Sequence, residues 1–226
     1  MNLFSVNFLY DLGHTLAADY LAGFSYPWEA LAGIGDWILA LQKTLGEDYR
    51  EIAPAVFVHT SATVAPTASI TGPCIIGANT EIRHCAYIRG NALVGENCVV
   101  GNSTELKNVI LFDGVQVPHY NYVGDSILGY KAHMGAGSVT SNVRGDKQCV
   151  VIHGETDLPT GRKKVGAMLG DYAEIGCNAV LNPGVVVGRN ATVYPTSCVR
   201  GFVPENHIYK TDGTTVPKRQ PLKAPL

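Results

Sequence analysis

The sequence predicts an all-β fold, a left-handed parallel β-helix built from hexapeptide repeats, with a small helical cap at the N-terminus. Aliphatic residues recur at every sixth position, small residues commonly precede them by two positions, and Gly and Asn follow them. A period of six fits neither a helix, which repeats at about 3.6 residues, nor a flat strand, which repeats at about 2. A solenoid explains it, because stacked coils place equivalent side chains one above another.

The repeat occurs in two blocks separated by an irregular stretch. The aliphatic or aromatic positions are Val58, Val64, Ile70, Ile76, Ile82, Ile88, Val94, Val100, Leu106 and Phe112, then Leu169, Ile175, Leu181, Val187, Val193 and Val199. We interpret each hexapeptide as one short strand and one corner, so that three of them, about 18 residues, make one coil. Asn79, Asn97 and Asn190 suit these corners because Asn tolerates positive φ.

Three regions are expected along the chain. Residues 1–53 lack the six-residue period and are expected to form a helical N-terminal cap over the open first coil, whose backbone and apolar surface need a cover. Residues 54–203 are expected to form the β-helix, with an inserted loop at about 142–164. Residues 204–226, which contain several Pro and Lys, are expected to form an extended C-terminal arm.

The N-terminal region carries a helical pattern. Apolar residues spaced by three and four from Trp28 to Leu45, with Pro27 before them and Gly46 after them, predict one helix. A shorter helix is expected near Leu12 to Leu21. A helix lying on a membrane surface is the less favoured alternative, because its polar face is acidic.

Composition excludes several classes of function. Charged residues make up 16% of the chain and the net charge is -2, which argues against non-specific nucleic-acid binding. The six cysteines form no CxxC pair, so we expect buried, reduced thiols and neither a disulfide framework nor a zinc site. We find no secretory leader and no apolar stretch of membrane-spanning length, and we therefore expect a cytoplasmic protein without a membrane partner.

Candidate chemistry concentrates where the repeat breaks. His119 lies in this irregular stretch, so its imidazole need not point into the core and can accept a proton from an attacking amine. Gly135, Ala136 and Gly137 offer backbone N–H groups for an oxyanion or for the amide-rich arm of a cofactor. From the residues alone, a surface histidine without a role is the favoured interpretation of His119. The basic run 162–164 could hold a phosphate, and a solvated loop is its default interpretation.

Residues 68–203 resemble the C-terminal acetyltransferase domain of the bacterial N-acetylglucosamine-1-phosphate uridyltransferase/glucosamine-1-phosphate acetyltransferase. The resemblance covers the irregular segments 117–125 and 134–142 as well as the repeats, and the loop 161–167 is similar to that of archaeal sugar-1-phosphate nucleotidylyl/acetyltransferases. It implies acetyl transfer from acetyl-CoA to glucosamine-1-phosphate or galactosamine-1-phosphate in UDP-N-acetylhexosamine synthesis. It also implies a homotrimer whose sites lie between neighbouring prisms, and a transfer that needs no metal.

The resemblance also implies roles for individual residues. His119 matches the general base. The implied substrate-binding residues are Arg89 and Lys107 for the phosphate, Tyr122 and Asn142 for the sugar, and His133 and Lys147 as further contacts. The implied acetyl-CoA-binding residues are Ala136, Cys177 and Lys210.

The chain departs from the family pattern in ways that leave alternatives open. His133 stands where the family usually has Asn, Cys177 replaces a Ser, and Lys210 would substitute for an Arg on the CoA phosphate. Residues 1–53 are too few for a nucleotidyltransferase domain, so we expect a stand-alone acetyltransferase. The alternative is a non-catalytic sugar-nucleotide-binding or scaffolding partner of a separate nucleotidyltransferase. A metal-dependent hydrolase similar to γ-class carbonic anhydrases is less favoured, because the histidine spacings do not match that ligand set.

Overall fold

Short strands and short helices make up residues 2–219, the part of the chain that the computed structural model describes. The helices are α1 (Val6–Leu9), α2 (Ala18–Ala22), α3 (Pro27–Ala30) and α4 (Ile34–Leu41), with 3₁₀ turns at Leu12–His14 and Gln42–Thr44. The strands are β1 (Tyr49–Ala53), β2 (Val56–His59), β3 (Thr63–Val64), β4 (Ser69–Ile70), β5 (Cys74–Ile76), β6 (Glu81–Ile82), β7 (Tyr87–Ile88), β8 (Ala92–Val94), β9 (Val99–Asn102), β10 (Glu105–Leu111), β11 (Gln116–His119), β12 (Tyr122–Leu128), β13 (His133–Met134), β14 (Val139–Thr140), β15 (Val151–Ile152), β16 (Leu158–Pro159), β17 (Ala167–Leu169), β18 (Glu174–Ile175), β19 (Val180–Leu181), β20 (Val185–Val187), β21 (Thr192–Val193), β22 (Cys198–Val199), β23 (Phe202–Val203), β24 (His207–Tyr209) and β25 (Thr215–Pro217).

Parallel pairing between successive coils stacks these strands into three faces. The apolar face holds β2, β5, β8, β17, β20 and β23, with the C-terminal halves of β10 and β12. The histidine face holds β3, β6, β9, β11, β13, β18, β21 and β24. The tyrosine face holds β4, β7, β14, β19 and β22, with the N-terminal halves of β10 and β12. The predicted parallel β-solenoid is therefore confirmed.

The repeat positions form the core of the solenoid. Ile76, Ile88 and Leu181 are fully buried, as are most of their equivalents. Val64 and Ile70 are partly exposed because they belong to the first coil, which has no coil below it. The corner Asn residues adopt the expected left-handed conformation, with φ of 56° at Asn79, 53° at Asn97 and 52° at Asn190.

The apolar face carries a second row of apolar side chains that point outward. The register stacks Phe57, Ile75, Leu93, Ile110, Ile127, Met168, Val186 and Phe202 one above another. The six inner members of this row are fully buried although they lie outside the solenoid core. Another part of the chain must therefore cover this face.

Residues 2–45, here called the strap, provide that cover. Phe4 packs edge-on against Phe202 of β23, with ring centroids 5.1 Å apart. The Tyr10 hydroxyl donates to the Ile127 carbonyl, at 3.3 Å, halfway along the solenoid. The Gln42 side chain donates to the Cys74 carbonyl of β5, at 3.1 Å. The strap therefore runs along the whole apolar face, from the last coils to the first.

This course corrects the prediction of a cap over the first coil. Burial of each large apolar side chain contributes about 1.5–3 kcal/mol, and the apolar face offers six of them in one row. The end of the first coil keeps an open cavity of about 380 Å³ beside Val64 and Ile70, and Ile52 there is exposed. Covering the long side of the prism buries more apolar surface than covering its narrow end.

The helical pattern of residues 27–45 is interrupted, which also corrects the sequence prediction. Two helices, α3 and α4, replace the single expected helix, and a 3₁₀ turn follows α4. Gly33 separates them with φ of -103° and ψ of 3°. A side chain at Gly33 would lie 2.8 Å from the Tyr20 hydroxyl, so glycine permits the close approach of α2. The expected helix near residues 12–21 is a 3₁₀ turn followed by α2.

The C-terminal segment continues the solenoid as far as it is described. Strand β24 pairs in parallel with β21, and β25 pairs with β24 in an antiparallel hairpin. Residues 204–219 therefore stay on the histidine face and do not leave as the expected arm, because β24 satisfies the backbone groups of the last full rung. Residues 220–226 of that predicted arm lie outside the described residues.

The inserted loop leaves the solenoid between β14 and β17. A bridge between Val143 and Lys164 closes its base, and β15 and β16 form an antiparallel hairpin at its tip. Cysteine burial differs from the prediction. Cys74 and Cys98 are buried, but Cys85, Cys149, Cys177 and Cys198 are exposed because they lie on corners, loops or outward positions. Among residues 2–219, none of the helices has both the length and the apolar character needed to cross a bilayer.

Candidate active site

The tyrosine face is a narrow surface with different chemistry at its two edges. His119 ends β11 on the histidine face, and Tyr122 begins β12 on the tyrosine face, so His119 stands at the corner between them. Lys107 pairs in register with Gly124 at the opposite corner, and Arg89 lies one coil before Lys107. Five residue steps of about 3.3 Å separate His119 from Gly124, so the face is at most about 16 Å wide.

Three predicted substrate residues meet around the buried carboxylate of Asp125. The Lys107 ammonium lies 3.3 Å from Asp125 Oδ2. The Asn142 side-chain amide donates to the same oxygen at 2.6 Å and to the Tyr122 hydroxyl at 3.1 Å. The fold therefore brings Lys107, Tyr122 and Asn142 together from three coils.

Arg89 reaches the same cluster through Glu105. The Arg89 guanidinium donates to Glu105 Oε1 at 2.7 Å, and this contact raises the arginine pKa further above its usual range. Glu105 pairs with Tyr122 in the parallel register. Each predicted phosphate-binding cation thus already has a carboxylate partner, and the cluster of Arg89, Lys107, Glu105 and Asp125 is neutral overall.

Tyr122 presents a neutral phenol to the face. Burial, followed by the charges of Asp125 and Glu105, raises its pKa above 10, although the Asn142 hydrogen bond and Arg89 oppose the shift. Because Asn142 donates to the phenol oxygen, the phenol proton remains available to a ligand. The ring lies over Gly124, where an added Cβ would clash with the Tyr122 hydroxyl, so glycine leaves room for the ring.

Asn121 fixes the corner that carries His119. The His119 backbone N–H donates to Asn121 Oδ1 at 3.1 Å, and the Asn121 amide donates to the Gly135 carbonyl at 2.9 Å. The Gly137 N–H in turn donates to the His119 carbonyl at 3.0 Å. His119 is exposed, and within residues 2–219 no side chain hydrogen-bonds its imidazole. The backbone of His119 is therefore fixed, while its imidazole is free to contact a ligand.

Two predicted cofactor-binding residues, Ala136 and Cys177, lie at the same corner in the next two coils. The Asn178 N–H donates to the Ala136 carbonyl at 2.8 Å, which places Cys177 on the coil above Ala136. The Ala136 N–H has no hydrogen-bond partner in the described part of the chain. An adjacent groove of about 250 Å³ is lined by His133, Cys177, Tyr194 and neighbouring residues. His133 Nδ1 lies 2.9 Å from Glu174 Oε2 at its lower end.

Lys147 and Lys210 do not join these residues within one chain. Lys147 is exposed in the inserted loop with φ of 60°, and its N–H donates to the Arg144 carbonyl at 3.1 Å. Lys210 lies in the turn between β24 and β25, where its N–H donates to the Thr214 carbonyl at 2.9 Å. Both remain predictions that the geometry of one protomer does not bring to the tyrosine face.

Sequence reasoning missed Glu105, Asp125 and Asn121. The repeat length could have predicted one of these contacts, because Asp125 lies 17 residues, about one coil, after Asn108, and the two side chains meet at 2.9 Å. Asn121 lies between two predicted residues but could be recognised as a clamp only once its amide partners were visible. Among residues 2–219, no three His, Cys, Asp or Glu side chains gather as a metal site.

Part of this chain matches a known protein family, and two bifunctional proteins are similar to most of it. Residues 70–159 match the family described as the GMPPB C-terminal domain. Bifunctional protein GlmU of Methanococcus maripaludis is 30% identical over 205 residues, covering 89% of this chain and 50% of that protein. The bifunctional sugar-1-phosphate nucleotidylyltransferase/acetyltransferase of Sulfurisphaera tokodaii is 30% identical over 197 residues, covering 84% of this chain and 49% of that protein. This chain is therefore similar in sequence to about half of each of these bifunctional proteins.

This similarity confirms the resemblance predicted from the sequence, and the chain spans about half the length of these two relatives. The acetyltransferase domain of PglB from Neisseria gonorrhoeae, solved in complex with acetyl coenzyme A, aligns with a TM-score of 0.35 at 18% identity. That alignment covers 72% of this chain and 57% of the PglB domain.

Proposed function

We propose that this protein transfers the acetyl group of acetyl-CoA to the amino group of an amino-sugar 1-phosphate, glucosamine-1-phosphate or galactosamine-1-phosphate. One observation carries the proposal. Tyr122 lies between a corner with a free imidazole, His119, and a corner where Lys107 and Asn142 surround Asp125. An amino-sugar 1-phosphate carries its amine on the carbon next to the one that bears the phosphate, so it needs a proton acceptor and cations on one face, and the tyrosine face offers both.

In the proposed reaction the sugar amine attacks the thioester carbonyl. A new C–N bond forms, the C–S bond breaks, and CoA leaves as the thiol. His119 accepts the proton that the nitrogen loses and returns it to the departing CoA sulfur, which is general acid–base catalysis. The unpartnered Ala136 N–H, on the coil above His119, supports a role as a donor to the oxyanion of the tetrahedral intermediate.

The phosphate would share two cations with their present carboxylate partners. Arg89 and Lys107 would contact the phosphate, and Tyr122 and Asn142 the sugar hydroxyls. Arginine suits phosphate because its planar fork donates two parallel hydrogen bonds. The groove beside His133 and Cys177 would hold the pantetheine arm of acetyl-CoA. No step in this scheme uses a metal ion.

Homotrimer formation in the cytoplasm is part of the proposal. The tyrosine face is open to solvent, and Tyr87 on it is 45% exposed. A neighbouring copy would supply the second wall, and Lys147 or Lys210 could reach the site from that copy. The name of the Sulfurisphaera tokodaii relative pairs acetyl transfer with nucleotidyl transfer, which supports a separate or linked nucleotidyltransferase that uses the acetylated product.

The test is release of free thiol from acetyl-CoA in the presence of each amino-sugar 1-phosphate. His119→Ala should lower turnover by about 10²–10⁴-fold, the usual worth of a general base. His84→Ala is the matched control, because His84 is an exposed histidine on the same corner, held by Thr67. It should retain activity.

Absence of thiol release with both acceptors, or equal turnover in the His119 variant, would overturn the proposal. Binding of a UDP-sugar without thiol release would support the non-catalytic partner instead.

A further inference from the structure

We infer that Asp125 is the positioning residue of the sugar-phosphate subsite, and that the strap holds it in place through Asn108. The inference rests on the proposed function, because it concerns how Lys107 and Asn142 are presented to a substrate. It assigns the N-terminal strap a part in the site as well as in stability.

Both oxygens of Asp125 are engaged. Oδ1 accepts from the Asn108 side-chain amide at 2.9 Å. Oδ2 accepts from Asn142 at 2.6 Å and lies 3.3 Å from the Lys107 ammonium. Asp125 is 3% exposed, whereas the Lys107 side chain is 27% exposed and points toward the open face. The carboxylate is therefore the buried anchor, and the lysine is the group that a ligand can reach.

The strap reaches this anchor directly. The Asn108 amide that holds Asp125 also donates to the Leu31 carbonyl of the strap, at 3.1 Å. Leu31 follows α3 and is itself buried. A continuous chain of contacts therefore runs from the strap through Asn108 and Asp125 to Lys107 and Asn142.

The chemistry requires a carboxylate at this position. An ionised carboxylate only accepts hydrogen bonds, and here three donor groups converge on it. An asparagine at 125 would turn an NH₂ donor toward at least one of those donors and would remove the counter-charge of Lys107. Lysine is a point charge on a flexible four-carbon stem, so without its partner the ammonium would no longer be fixed beside Tyr122.

Asp171 provides a matched control. It is also 3% exposed and also ties the strap to the solenoid, because it accepts from the Asp11 N–H at 2.7 Å and the Tyr130 N–H at 2.9 Å. None of its contacts involves a predicted substrate residue. A purely structural role for Asp125 predicts that Asp125→Asn and Asp171→Asn behave alike.

The experiment compares steady-state kinetics and thermal melting of the full chain with Asp125→Asn and Asp171→Asn. Asp125→Asn should raise KM for glucosamine-1-phosphate about tenfold or more, as expected for a lost charge-assisted contact, and leave KM for acetyl-CoA unchanged. Asp171→Asn should lower Tm without changing either KM. In a Lys107→Met background, Asp125→Asn should raise KM by less than it does alone, because its effect passes through Lys107.

A second variant covers the case in which Asp125→Asn does not fold. Asn108 has φ of 55°, so Asn108→Gly keeps the backbone conformation while removing the link between the strap and Asp125. It should raise the same KM in the same direction. Equal KM changes in the Asp125 and Asp171 variants, or no KM change in Asn108→Gly, would overturn the inference.

Failure of the proposed function gives a different result. In that case wild type releases no thiol, and calorimetric titration with glucosamine-1-phosphate takes the place of KM. Weaker binding by the Asp125 and Asn108 variants would then still support the positioning role, and binding equal to wild type would refute it.

Discussion

Seating of the strap on the apolar face can be tested with two neighbouring residues of α4. Ile38 is fully buried and Leu39 is 43% exposed. Ile38→Ala removes three carbon atoms, worth about 2.4 kcal/mol at about 0.8 kcal/mol each, and the cavity left behind brings the expected loss to about 2–5 kcal/mol. Leu39→Ala removes the same number of atoms from a half-exposed position, so its loss should be about 1 kcal/mol or less.

Urea unfolding followed by tryptophan fluorescence is the appropriate assay. The chain has two tryptophans, Trp28 in α3 and Trp37 in α4, so the signal reports directly on the strap. With a slope of about 1–3 kcal/mol per M urea, a difference of about 2 kcal/mol between the variants separates their midpoints by roughly 1 M. Coincident midpoints for the Ile38 and Leu39 variants would mean that α4 does not rest on the apolar face.

Two further predictions concern backbone packing and thiol chemistry. A Cβ at Gly101 would overlap the Pro118 carbonyl oxygen, so Gly101→Ala should lower the free energy of unfolding by more than about 4 kcal/mol. Gly46→Ala, where no atom lies within 4 Å of the added Cβ, should change it by about 0.5 kcal/mol or less. Similar melting temperatures for the two variants would contradict this prediction. Burial raises the pKa of Cys74 and Cys98 to about 12, so mass spectrometry after alkylation of the native protein at pH 8 should show label on the four exposed cysteines alone. Label on Cys74 or Cys98 before denaturation would show that the core opens.

The solenoid could be predicted from the sequence because the six-residue repeat reflects the geometry of one coil. Every sixth residue points inward, so the pattern alone identifies the buried positions, such as Ile88 and Leu181. The strap was correctly predicted to be helical, but its position was predicted wrongly. An amphipathic pattern shows that one side of a segment is buried, but it does not show which surface buries it. A second pattern in the sequence would have predicted its position. On every third strand an apolar residue, such as Ile75 or Leu93, precedes the inward-facing residue, and this marks a face with apolar side chains on both sides.

The candidate site was likewise predicted only in part. The family resemblance selected Lys107, Tyr122 and Asn142, and the register of the stacked coils brings them together. The carboxylates beside them were not recognised, because charged residues on outward positions read as solvated surface until their partners are known. Asp125 is buried by its corner and by the strap, and neither is visible in a local pattern.

The course of the strap sets the order in which the molecule can be completed. Phe4 packs against Phe202, so two residues nearly two hundred positions apart in the chain must meet before the N-terminal end of the strap is in place. During synthesis at about 5–20 residues per second, Phe4 leaves the ribosome roughly ten seconds or longer before Phe202 does. The apolar side chains at the N-terminal end of the strap therefore stay uncovered until the last coils form, and we expect the refolding rate to depend on this long-range contact more than on the local stacking of coils.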